Sequence, residues 1–148
     1  MRLSGATDYA LRAMLELAGA DRPLTTDQIA QRQRIPPSYL GAILAEVRRA
    51  GLVRARRGPE GGWSLARPAA EITLADVIRA VGGALTDVAG TRPENLHYEG
   101  PAEGLQSVLV ALRAAERQIL EAVSLAAVRD RAYPTRVRRL LEDPQAWH

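Results

Sequence analysis

A mainly α fold with one small β-hairpin is predicted for this 148-residue chain by three observations. Two short stretches of helical apolar spacing, one ending near Arg32 and one running from Pro37 to Ala50, are separated by a tight turn. From Leu52 to Ala66 the apolar period changes from 3.6 to 2 on either side of a turn rich in Gly and Pro, as in a hairpin. From Leu105 to Val123 the apolar residues follow a nearly a/d stripe, which asks for a partner helix. Together these give a winged helix-turn-helix domain at 1–83, a loop at 84–104, and a long C-terminal dimerisation helix with further C-terminal helices at 105–148.

In the first helix, over residues 5 to 20, Ala6, Tyr9, Ala10, Ala13, Met14 and Leu17 share one face. Asp21-Arg22-Pro23 breaks it. Thr25-x-x-Gln28 is a capping-box pattern that opens the second helix, with Leu24 and Ile29 as its buried residues. Pro37 suits the first position of the third helix, where a missing N–H costs nothing, and Gly51 suits its stop. Tyr39, Leu40, Ile43, Leu44 and Val47 fall at helical spacing between them. Leu52–Arg56 and Gly62–Ala66 form the strands of the wing, joined by Arg57-Gly58-Pro59-Glu60-Gly61. Thr73-x-x-Asp76 caps a fourth helix with Leu74, Val77, Ile78 and Val81 on its apolar face, closed by Gly82-Gly83. Periodicity is lost from 84 to 104. After the long helix, Ser124 to Val128 and Pro134 to Leu141 read as short helices before a frayed end.

The charge is unevenly placed. Between positions 32 and 67 stand eight Arg against Glu46 and Glu60, a local balance of +6 in a chain whose net charge is +3. That is the footprint of a surface meeting a polyanion, and double-stranded DNA is the expected partner. Every basic residue is Arg, which fits a GC-rich codon bias and also fits phosphate, whose oxygens the guanidinium fork meets bidentately. The chain has no Cys, which excludes disulfides, thiolate-held iron–sulfur clusters and thiol catalysis. The first helix carries Asp8, Arg12 and Glu16, unlike a secretory signal, and no stretch reaches the ~20 apolar residues of a membrane span. A cytoplasmic location without a membrane partner is expected.

The candidate DNA contacts are Thr26, Gln28, Ser38, Tyr39, Arg48, Arg49, Arg56, Arg57, Gly58 and Gly61. Ser38 and Tyr39 stand at a helix N-terminus, where a hydroxyl and backbone N–H groups can meet phosphate or a base edge. Arg48 and Arg49 could hold phosphates or complement the helix dipole. Arg56 and Arg57 flank the wing tip, where a narrow minor groove would favour them. Trp63 is expected to anchor the wing on the core. The candidate dimer contacts are Leu105, Leu109, Leu112 and Ile119. His97 with Glu94, Glu99 and Glu103 reads as a solvated acidic loop, so no metal is expected. No nucleophile, base and orienting group are arranged for hydrolysis, so the chain is not expected to be an enzyme.

Met1-Arg2-Leu3-Ser4 with Asp8 to Met14, Ile35 to Leu40, Gly51-Leu52-Val53, Arg57 to Leu65 and Ile72 to Ile78 together resemble the Rrf2 family of dimeric winged-helix regulators, of the IscR, NsrR and CymR type. The resemblance is strong over 1–83 and continues in order through the long helix. It implies a transcription factor whose second motif helix enters the major groove while the wing meets the minor groove, and a homodimer held by the long helix. Two departures stand out. Cluster-sensing members hold iron–sulfur with Cys in the loop corresponding to 84–104, which here has none, so no cofactor is expected and an unknown small molecule or protein would be the effector. Asp8 stands where some members have an extra carboxylate ligand and is read here as a helix residue. Gly41-Ala42 occupy positions where relatives often carry larger polar side chains. The expectation is a sequence-specific repressor binding a palindromic operator as a homodimer; the alternative is a winged-helix module for protein–protein contact with no specific DNA site.

Overall fold

The computed structural model describes residues 2–148; Met1, the first residue of the resembling N-terminal motif, lies outside the described residues. Helices α1 (Gly5–Gly19), α2 (Thr26–Gln33) and α3 (Pro37–Arg49) are followed by strands β1 (Val53–Arg56) and β2 (Gly62–Leu65), then α4 (Leu74–Gly82), α5 (Leu105–Leu120), α6 (Leu125–Arg129) and α7 (Thr135–Leu141). Among the described residues no helix is long and apolar enough to cross a membrane.

Each start and stop has a local cause. Ser4 caps α1 through the Thr7 N–H, and the Thr25/Gln28 and Thr73/Asp76 capping boxes both form. Pro37 takes the first position of α3, and Gly51, at φ 77°, ends it in a conformation that would strain other residues. Arg34 ends α2 in the left-handed region at φ 53°, and the Ile35 N–H returns to the Ala30 carbonyl at 2.9 Å, so the turn between α2 and α3 is a Schellman-type stop built without glycine.

The core lies where α1 meets α2, α3 and α4. Met14, Ile29, Leu40, Leu44, Val47, Ile72 and Val77 are fully buried there, each removing enough apolar surface to stabilise the fold by roughly 1.5–3 kcal/mol. The expected α1 face holds except at its start: Ala6 is exposed, Tyr9 is half-buried, and Thr7 takes the buried place. Tyr39 departs from the apolar face of α3 and is 63% exposed.

The C-terminal third departs most from expectation. The long helix ends at Leu120 and not at Val123, because the chain turns back and buries Val123 and Leu125 in the N-terminal core. Backbone bonds lock this return: Leu74 N–H to the Val123 carbonyl and Leu125 N–H to the Ile72 carbonyl, both 2.9 Å, with Arg129 Nη1 donating to the Ala18 carbonyl at 2.9 Å. The expected Pro134–Leu141 helix forms as α7, and the end that reads as frayed beyond it closes in a 3-10 turn at Pro144–Trp147, where Trp147 Nε1 donates to the Leu141 carbonyl.

The 84–104 loop is similarly ordered by local bonds. Val88 and Thr91 bridge, 3-10 turns form at Pro93–Asn95 and Gly100–Ala102, and Pro93 is buried. Glu94 pairs with Arg113 of α5, and Glu121 pairs with both Arg79 of α4 and Arg117. Hydrogen bonds from these guanidiniums hold both carboxyls below the usual glutamate range.

Candidate nucleic-acid interface

The turn that aims α3 is braced from α1. Arg12 donates to the Gln33 carbonyl at 2.6 Å and to Asp8, and its guanidinium lies 5.0 Å from the centre of the Tyr9 ring. Gln33 in turn donates to Glu16 at 2.6 Å, and Arg32 lies 3.7 Å from the same carboxylate. Asp8, Arg12 and Glu16 are spaced four apart on one helix line, a signal that points to such a brace once the facing turn is known. Asp8 is therefore occupied as an ion-pair partner.

No side chain caps α3. The Tyr39 and Leu40 N–H groups turn to the Pro36 carbonyl, and Ser38 is exposed, its hydroxyl making no hydrogen bond among the described residues. Ser38, Tyr39, Gly41 and Ala42 are all exposed, so the N-terminal half of the helix presents two small positions beside Ser38 and Tyr39. Apart from its chain neighbours and the backbone of its own helix, no described residue lies within 4 Å of where a Cβ on Gly41 would stand.

The wing is held tightly at its base. Val53 pairs with Leu65 and Arg56 with Gly62 in antiparallel register. Leu24 adds a bridge to Trp63, with N–H to carbonyl distances of 3.0 and 2.7 Å, and Trp63 Nε1 donates to the Thr26 hydroxyl at 3.0 Å. Trp63 thus fixes the hairpin to α2. A Cβ on Gly61 would fall 2.3 Å from the Arg56 carbonyl oxygen, and one on Gly62 2.6 Å from that of Leu24, so the chain itself demands glycine at both. Gly58, at φ 106°, turns the tip.

The expected contacts sort accordingly. Arg48, Arg49, Arg56 and Arg57 are exposed, and among the described residues none makes an ion pair or side-chain hydrogen bond within the chain. Arg34, in the helix-turn-helix turn, is likewise exposed and unpaired and belongs with them. Arg54 is partly used, donating to the Ala66 carbonyl at 3.0 Å. Thr26 and Gln28 have structural duties as the Trp63 acceptor and the capping-box acceptor, though the Thr26 hydroxyl proton and the Gln28 amide N–H remain to donate. Thr25 and Gln28 share a surface groove with Arg56 and Gly61, tempered by Asp21 and Glu60.

On α5 the stripe divides. At about 100° per residue, Leu105, Val108, Leu112, Ala115 and Ile119 fall within one narrow face; Leu105, Val108 and Leu112 are exposed and Ile119 is half-buried. Leu109 is displaced from them to the adjoining face with Gln106, Arg113, Glu116 and Leu120, where it is half-buried beside Ile78 and Leu85. No residue of α5 is fully buried.

The family model for Rrf2, described as an iron-dependent transcriptional regulator, matches residues 3–131. An HTH-type transcriptional regulator of Mycobacterium tuberculosis H37Rv is 44% identical over 148 residues, covering 99% of this chain and 92% of that one. IscR of Cereibacter sphaeroides is 36% identical over 110 residues, covering 65% and 71%. Among solved structures, CymR, the global cysteine regulator of B. subtilis, matches with TM-score 0.75 at 28% identity over 89% of this chain and 98% of that one. IscR of T. potens matches with TM-score 0.72 at 25% identity over 100% and 97%. The family description names iron, and the residues present do not fit a thiolate-held cluster: there is no Cys, Glu94 is engaged by Arg113, and no three His, Asp or Glu among the described residues are grouped to hold a metal. Extent of match and shared architecture agree: this chain is a cysteine-free member of the Rrf2 family of winged-helix, DNA-binding transcriptional regulators, which are not enzymes.

Proposed function

We propose that the chain is a sequence-specific repressor that binds a palindromic operator as a homodimer and works without an iron–sulfur cluster. The observation that carries the reading is the set of unpaired guanidiniums of Arg34, Arg48, Arg49, Arg56 and Arg57 on the helix-turn-helix and wing, with exposed Ser38 and Tyr39 at the N-terminus of α3. Ion-pairing inside the chain would have neutralised these charges; left free, they suit phosphates and the minor groove. Specificity falls to Ser38, Tyr39 and groove shape, because Gly41 and Ala42 have little side chain to read with. The exposed face of Leu105, Val108 and Leu112 supports dimerisation through α5, which would set two recognition helices about one helical turn of DNA apart, roughly 34–36 Å. Repression needs only occupancy of such a site.

Selection from random duplexes at fixed salt, followed by measurement of protein-to-DNA stoichiometry, tests the reading. An enriched inverted repeat bound by two chains is expected. Selection without enrichment would leave the winged-helix module for protein contact as the better account. Anaerobically purified protein should lack visible charge-transfer bands; their presence would overturn the cluster-free reading.

A further inference from the structure

Four arginines from three parts of the chain, all outside the helix-turn-helix and wing, converge on one hollow. Arg79 of α4, Arg92 of the 84–104 loop, and Arg113 and Arg117 of α5 line an open cavity of about 460 Å³, otherwise walled by residues 83–85. That size suits a small ligand. Two carboxylates bond to these guanidiniums, Glu94 to Arg113 and Glu121 to Arg79 and Arg117, but neither lines the cavity. The neighbouring Glu116 accepts the Thr86 hydroxyl and does not line it either. Arg92 forms no direct ion pair among the described residues and is only attracted at longer range to Glu94. The cavity wall is thus all guanidinium in its charge, with four cations to two partnered anions, and gathering like charges in one hollow is unfavourable unless an anion joins them.

We propose that this cavity binds a small multivalent anion, a metabolite carrying two or more phosphate, sulfate or carboxylate groups. Arginine forks match the oxygens of all three groups. On α5, Arg113 and Arg117 lie about 130° around the helix from the mean direction of Leu105, Val108 and Leu112, so a helix pairing along that stripe would leave both guanidiniums open. The cavity walls join α4, which packs in the DNA-binding core, to the loop and α5. An anion there would tie the loop and α5 to α4, holding the arm that would carry the second chain at one angle. The binding site stands on its own geometry; only this consequence for DNA rests on the dimeric repressor proposed above.

The experiment uses the full chain without DNA and the probes pyrophosphate, sulfate and citrate, each at constant ionic strength set with sodium chloride. Calorimetric titration and thermal unfolding should show saturable binding of at least one probe, and the strongest probe identifies the favoured group. Arg92→Gln, which breaks no ion pair, should weaken that binding by about tenfold or more, the effect of losing one charge-assisted hydrogen bond, while its unfolding midpoint without anion stays at the wild-type value. Arg56→Ala/Arg57→Ala should bind the anion as wild type does. No saturable binding of any probe, or binding that survives Arg92→Gln and disappears in the wing double variant, would overturn the proposal; the second result would place the anion on the DNA-facing surface. Since DNA is absent, failure here would leave operator binding untouched.

Discussion

Gly41→Ala separates what α3 needs for folding from what it needs for binding. Gly41 sits one turn into a 13-residue helix, is exposed, and has no described residue beyond its own helix backbone and chain neighbours within 4 Å of where the added methyl would stand. Its φ is not positive, so the backbone itself does not call for glycine. Alanine should then stabilise the helix by about 0.5–1 kcal/mol, which for a chain of this size raises the unfolding midpoint by roughly 1–4 °C. A residue that costs stability with no need inside the chain has its reason outside it. The face carrying Ser38, Gly41 and Ala42 is where α3 would meet the major groove, and a methyl forced into a close contact there should cost about 1 kcal/mol or more, roughly a fivefold loss of operator affinity. Differential scanning calorimetry and fluorescence anisotropy at fixed salt measure the two effects. A raised midpoint with unchanged affinity would refute the close approach at Gly41, and a lowered midpoint would refute the helix argument itself.

The wing, the α5 stripe, the core and the loop ion pairs each give a measurable outcome. Arg56→Ala or Arg57→Ala should weaken DNA binding and reduce the slope of log affinity against log salt by about 0.9 for each phosphate left without its guanidinium; an unchanged slope in both would remove the wing from the interface. Leu112→Glu places a charge in the middle of the exposed α5 stripe and should give a monomer by light scattering, whereas a surviving dimer would show pairing by another surface. Leu125→Ala, at a fully buried position, should destabilise the fold by about 2–5 kcal/mol in chemical denaturation, and a loss below about 1 kcal/mol would mean that α6 is not part of the core. Because the folded-state carboxyls of Glu94 and Glu121 titrate below the usual value of 4.5, their ion pairs stabilise the loop and α5 at pH above that value and lose their contribution as pH falls through the depressed folded value. Hydrogen exchange in residues 94 to 120 should therefore quicken in acid beyond the intrinsic pH trend, and less so in a Glu94→Gln/Glu121→Gln variant, whose protection would change less with pH.

Much of this protein can be read from local pattern because its elements are locally determined. Capping boxes, Pro37, Gly51 and the change of period at Leu52 depend on residues a few positions apart, so helices α1 to α4 and the hairpin are legible in order. The charge concentration between 32 and 67 marks a basic surface for a similar reason: eight arginines cannot be hidden in a small core. Which arginines are free is another matter. Arg12 and Arg48 look alike in sequence, yet Arg12 is bound to a carbonyl 21 positions away, whereas Arg48 makes no side-chain hydrogen bond or ion pair among the described residues. The same holds for Leu109 and Leu112, both apolar on one helix and both bordering the cavity against α4 and the loop, of which the first is half-buried and the second 49% exposed.

Tertiary structure alone decides what depends on long-range closure. Leu125 lies in a segment whose sequence reads as part of a C-terminal arm, but burial against Ile72 draws it into the N-terminal core, because the backbone between residues 120 and 125 can turn back and bond to the flanks of α4. Thr26 reads as a candidate DNA contact, and only the fold shows that its hydroxyl oxygen also accepts from Trp63, 37 positions away, with the hydroxyl proton left to donate. Arg79, Arg92, Arg113 and Arg117 are scattered through the sequence among acids, and only the packing of loop and α5 on α4 makes them one wall. Sequence by itself determines the helices, the wing, the family and the sign of the surface, since these follow from short-range spacing and composition. Burial and pairing across the chain decide which charges are left free to bind, since each partner is chosen by distance in space and not by distance along the chain.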